Sequence, residues 1–146
     1  MRMECLGNRG TDLPVQDVDH YGTEHTRFDV TVGREYTVYA LTMAGPRLDV
    51  LIADDTGKPG WYPAPLFRVT DPALPAHWEF AYPPTSGQTD AETLTGDTAR
   101  WGYPEAVRSE RHGIGLVERD PDDLLVFYRE QQRYREEPEK REEREG

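Results

Sequence analysis

The sequence predicts an α+β fold: a small antiparallel β-barrel or curled sheet followed by one or two C-terminal helices. Three observations carry this. Segments rich in β-branched and aromatic residues, several with period-two alternation, recur between residues 35 and 82. The C-terminal third changes to helical spacing. Strands precede helices instead of alternating with them, which argues against a parallel α/β sheet.

The elements follow in chain order. Met3 and Cys5 alternate with Arg2 and Glu4, giving a first strand candidate over residues 2–6. Residues 7–27, rich in Gly, Asp and Thr, read as a long loop, which is either functional or pinned by an unseen turn. Glu35-Tyr36-Thr37-Val38-Tyr39-Ala40-Leu41-Thr42-Met43 is the strongest strand signal. After the turn Ala44-Gly45-Pro46 comes a partner strand over residues 47–53. There Leu48 and Val50 alternate with Arg47 and Asp49 before the pattern becomes fully apolar. Residues 54–60 are a turn by composition. Pro63 and Pro65 then forbid a central strand, and residues 66–69 resume as a short one. Residues 77–82 alternate again, with Trp78, Phe80 and Tyr82 on one face; Phe67, Trp78 and Phe80 are assigned to the core. Residues 85–100 read as irregular. Residues 104–111 fit two helical turns, with Pro104 in the first turn and Gly113 past the end. A stronger helix starts at Asp120-Pro121, with Asp122 and Asp123 favoured by the helix dipole and a stripe of Leu124, Leu125, Phe127, Tyr128, Gln131 and Tyr134.

The chain has 146 residues, which suits one domain, with 17 Lys and Arg against 28 Asp and Glu, a formal charge of −11. The last 18 residues hold six basic and seven acidic side chains, so the first 128 carry −10. The expected organisation is therefore an acidic globular domain over residues 1–135 and a charged, disordered tail over 136–146, interrupted at Pro138. Such acidity disfavours direct contact with nucleic-acid phosphates or an anionic membrane. The N-terminus lacks the apolar stretch of a secretory signal, and a single cysteine, Cys5, allows no internal disulfide. Together these features lead to the expectation of a cytoplasmic protein with no membrane span.

The pattern Gly33-Arg34-Glu35-Tyr36-Thr37-Val38-Tyr39-Ala40-Leu41, followed by Trp61-Tyr62-Pro63-Ala64-Pro65-Leu66-Phe67, with Val69, Asp71 and Trp78-Glu79-Phe80, resembles a group of small bacterial proteins associated with toxin–immunity loci. Cys5, Asn8, Gly10 and Leu13-Pro14 fit the same group, as does an acidic stretch before a C-terminal helix. That group offers no catalytic residues to carry over. At the level of fold, Trp61-Tyr62-Pro63 is similar to the aromatic–proline spacing of SH3-like barrels; a shared fold does not fix a function.

Chemical constellations are sparse. Residues 17–25 hold Asp17, Asp19, His20, Glu24 and His25, but the five-residue histidine spacing matches no recognised zinc pattern, and a solvated polar loop is the plainer reading. Ser86 and Ser109 lack a nucleophile-elbow context, and Cys5 reads as a small buried hydrophobe. No metal or cofactor is assigned and an enzyme is disfavoured. The expected function is a non-enzymatic protein-binding domain, an immunity-type inhibitor that neutralises a basic toxin or effector. Asp54, Asp55, Asp120, Asp122 and Asp123 would meet cationic side chains, with Trp61 and Tyr62 as apolar anchors. Two alternatives stay open: an SH3-like structural or regulatory adaptor, and a small metal-dependent hydrolase built on His20 and His25.

Overall fold

The computed structural model describes residues 1–14, 24–82 and 99–145, with side chains through residue 136. Among the described residues eight strands form two antiparallel sheets. β1 (Arg2–Cys5) lies between β2 (Glu35–Thr37) and β6 (Phe67–Asp71). The larger sheet runs in the order β5 (Pro59–Pro63), β4 (Arg47–Ala53), β3 (Ala40–Ala44), β8 (Ala99–Gly102) and β7 (Glu79–Ala81). Three helices follow: α1 (Pro104–Arg108), α2 (Glu110–Val117) and α3 (Pro121–Glu145). The class is α+β, but the two sheets do not close into a barrel.

The long strand expected over residues 35–43 is divided where its backbone partner changes: the Val38 N–H donates to the Met1 carbonyl beside the small sheet and the Tyr39 N–H to the Leu51 carbonyl of β4, and both side chains are buried, on opposite sides. Val38 joins the apolar cluster between the two sheets, with Met3, Cys5, Tyr36, Val50, Ile52 and Phe67. Tyr39 joins the cluster beneath the helices, with Ala40, Leu51, Tyr103, Ala106, Leu116 and Phe127. One continuous β-forming run thus begins in one sheet and ends in the other. Leu51 faces the helices while its neighbours Val50 and Ile52 face the small sheet, so β4 is covered on both sides.

The prolines of Trp61-Tyr62-Pro63 are accommodated differently from the expectation. Residues 59–63 are a strand after all, but one at the sheet's edge, where a missing N–H breaks no ladder bond. β8 replaces part of the expected irregular segment and sits between β3 and β7. Ser109 divides the predicted first helix, because its side chain accepts from the His112 backbone N–H and starts a second helix that contains Gly113. α3 begins as predicted at Asp120-Pro121 and continues past Pro138 to Glu145, where the sequence had suggested an interruption. Strong helix formers flank that proline. Phe67 is core and Trp78 packs against the inter-sheet cluster, but Phe80 is 57% exposed and stacks on Trp101 across the β7–β8 ladder at 4.8 Å. Its strand is the outermost of the sheet, so nothing among the described strands lies beyond it.

Candidate functional site

Four of the seven predicted contact residues are occupied inside the fold. Asp54 is buried; its Oδ1 accepts from the Thr56 backbone N–H at 2.9 Å and its Oδ2 from the Tyr62 hydroxyl at 2.7 Å. Tyr62 is correspondingly core, edge-on to Phe28. Burial, reinforced by the Asp54 carboxylate, pushes its phenol far above the ordinary tyrosine value, so it remains a donor. Asp55 accepts from the Thr31 hydroxyl, the Tyr36 hydroxyl and Arg34 Nη1, each at 2.6 Å. Partial burial alone would raise its carboxyl; the hydrogen bonds from Thr31 and Tyr36 and the charge of Arg34 outweigh it and hold the group below the usual range. Asp55 thus fastens β2 and the loop before it to the β4–β5 turn, while Asp54 ties that turn to β5. Asp123 is engaged too: its Oδ1 meets His112 Nδ1 at 2.8 Å, while His112 Nε2 meets the Tyr103 hydroxyl at 2.6 Å.

This carboxylate–imidazole–phenol chain pins α3, α2 and the residue that begins α1. Burial drives the Tyr103 phenol strongly upward, so the hydroxyl stays protonated and is available to donate to Nε2, which leaves Nδ1 as the ring nitrogen facing Asp123. Both ring systems are buried, and the Asp123 end of the chain is partly exposed. Three predicted residues do face outward or into a cleft. Trp61 is half-buried, Asp122 is exposed, and the Asp120 carboxylate accepts from the Asp122 backbone N–H at 2.9 Å while remaining half-exposed.

A groove of about 350 Å³ opens between the helix-facing side of the large sheet and α2. Its sheet wall carries Thr42, Arg47, Asp49, Trp61 and Arg100. The strand registers align Asp49, Thr42 and Arg100 in one row across β4, β3 and β8. Thr42 is 7% and Arg100 3% exposed and Asp49 is half-buried, so a largely buried polar row lies in a face that turns apolar one row further on, at Leu51 and Ala40. The opposite wall is α2, with Glu110, Gly113, Ile114 and Val117, and then Glu118. The cations of this groove thus lie on the sheet wall, where Arg47 and Arg100 outnumber Asp49, whereas the charged residues of the helix wall are the acids Glu110 and Glu118. A Cβ on Gly113 would meet nothing within 4 Å, so α2 stands clear of the sheet there.

Sequence reading found Trp61 but missed Arg47, Asp49, Arg100 and Glu110. The signal was present: Arg47 and Asp49 fill the polar phase of the β4 alternation, and that phase belongs to the helix-covered face. A strand assignment for residues 99–102 would have brought Arg100 alongside. The lining brings charged side chains of both signs together beside the Trp61 indole.

Cys5 donates to the Gly7 carbonyl, and burial raises its thiol. Among the described residues no group of three or more His, Cys, Asp or Glu is placed to hold a metal; Asp17, Asp19 and His20 lie outside them, and His25 pairs with Glu24 on the surface. No helix of the described residues is long and apolar enough to cross a membrane. Compared with family models, curated proteins and solved structures, the chain has no match.

Proposed function

We propose that the protein is a non-enzymatic protein-binding domain, an immunity-type inhibitor that takes a basic toxin or effector at the α2 groove. The observation that carries this reading is the half-buried Trp61 in a groove whose helix wall bears Glu110 and Glu118, close in the chain to Asp120 and Asp122. A tryptophan contributes large contact area at little conformational cost, and the surrounding acids steer a cationic surface toward it. The −10 over the first 128 residues extends the same field.

The test is co-expression with the product of the neighbouring gene. Relief of growth inhibition and a complex that weakens steeply with added salt are expected, with loss of both in Trp61→Ala. Absence of any complex at low ionic strength sinks the proposal. A second reading, an SH3-like structural or regulatory adaptor that takes a peptide, draws on Trp61 lying two residues before Pro63 in an edge strand. It predicts binding that salt weakens far less.

A further inference from the structure

The polarity of the groove specifies more than a basic partner. We propose that it captures the carboxylate end of a basic chain, with the terminal carboxylate on Arg100 and Arg47 and the adjoining cationic side chain on Glu110 and Glu118, alongside Trp61. This rests on the protein-binding reading above and names the part of the partner that enters.

The argument begins with the two walls. A purely anionic ligand seated on Arg47 and Arg100 would face Glu110 and Glu118 across the groove. A purely cationic one seated on those glutamates would face the two arginines. A segment carrying both signs, carboxylate toward the sheet and cation toward α2, meets opposite charge on each side. The C-terminus of a chain ending in lysine or arginine is the simplest such segment.

Burial sharpens the carboxylate half. Arg100 lies almost wholly out of water, where charge-assisted hydrogen bonds to a carboxylate are strongest and its planar fork donates to two oxygens at once. Arg47, Asp49, Arg100 and Glu110 all have interaction partners within the chain already. A guanidinium has five donors, so a ligand carboxylate adds to that network without requiring an idle group. The cation half has Glu110 and Glu118, with the Trp61 indole as a surface for an ammonium or guanidinium. Ala106, Ile114 and Val117 supply the apolar lining for the side-chain stem. The volume of about 350 Å³ sits at the small end of the roughly 300–1,000 Å³ of ligand sites, enough for one or two residues and too little for a longer inserted segment. Gly113 keeps that space open, because any larger side chain there would project into it.

The experiment uses the full chain and three probes followed by Trp fluorescence and calorimetry: an N-acetylated hexapeptide ending Lys-Ala-Arg with a free carboxylate, the same peptide amidated, and free arginine. The free-acid peptide is expected to bind, and the amide to bind about tenfold weaker or worse, the loss of one charge-assisted contact. Arg100→Met should erase the difference between acid and amide. Gly113→Leu should abolish binding of the peptide with an unchanged or higher melting temperature, which keeps the test decisive if Arg100→Met does not fold. Equal binding of acid and amide overturns the carboxylate assignment while leaving a basic partner in place. Free arginine binding as tightly as the peptide overturns the chain-end assignment in favour of an amino acid. If no probe binds but a basic protein still forms a salt-sensitive complex, the inference fails alone; if neither binds, it fails together with the reading it rests on.

Discussion

The large sheet is covered on both faces, and the two coverings are made of different material. Toward the three-stranded sheet it presents Val50, Ile52 and Tyr62 to an unbroken apolar cluster. Toward the helices it presents Leu51 and Ala40 to a second cluster, then within one residue pair gives way to Asp49, Thr42 and Arg100 beside a groove. Two faces of the same strands thus do separate work. The inter-sheet face holds the fold, and the helix face holds it only over the half nearer Tyr103 and Phe127. A buried polar row is tolerated in cores only where its members are satisfied, and it is seldom placed where an apolar one would do. Its confinement to the groove end is what separates that end from the packed half of the same face.

Substitutions that strike one face and spare the other can break this contrast. The largest effect is expected from Leu51→Ala, which opens a void at a fully buried position under the helices and should lower unfolding free energy by about 2–5 kcal/mol in denaturant titrations. A loss below 1 kcal/mol would mean that the helices pack loosely on the sheet throughout. Tyr103→Phe comes next. It removes the hydroxyl that His112 Nε2 engages and leaves a buried acceptor unpaired, a loss of about 1–3 kcal/mol that should accompany weaker protection of α2 amides in hydrogen exchange. Undisturbed α2 protection would separate the α2 wall from the Tyr103–His112–Asp123 chain.

The smallest effect concerns the loop clasp at Asp55, which belongs to neither face. Because the folded carboxyl titrates below its unfolded value near 3.9, its stabilisation is complete above that value and disappears as pH falls through the lowered one. Asp55→Asn should therefore lower the unfolding free energy by a constant small amount above about pH 5, roughly 1 kcal/mol or less for a partly exposed group, and the gap should close toward pH 3 in denaturant titrations. A gap that widens on acidification would refute the assignment of Asp55 to this clasp.

Much of the architecture was legible in the sequence, and the most informative segment was β4. Its alternation of Arg47, Leu48, Asp49 and Val50 gives way to the continuous Leu51-Ile52-Ala53, which marks where the apolar helical cover begins. The helix at Asp120-Pro121 was equally plain, since cap, proline and acidic first turn agree. β8 was not legible, because four residues containing an arginine and a glycine carry almost no periodicity. The site was read least well. Asp54, Asp55 and Asp123 look like free surface charge in one dimension, and their partners Tyr62, Tyr36 and His112 stand 8, 19 and 11 residues away. Composition reveals the acids but not what already holds them.

The edge strand β5 has a consequence for assembly. An exposed strand edge normally invites another chain to extend the sheet, the first step of domain swapping or fibril growth. Here Pro59 and Pro63 remove the donors at both ends of the strand, and the Pro59 carbonyl is taken by the Arg119 guanidinium. The same residues that make Trp61-Tyr62-Pro63 an unpromising strand in the sequence therefore act as a terminus for lateral growth, and leave Trp61 on a border that a neighbouring copy cannot easily zip shut.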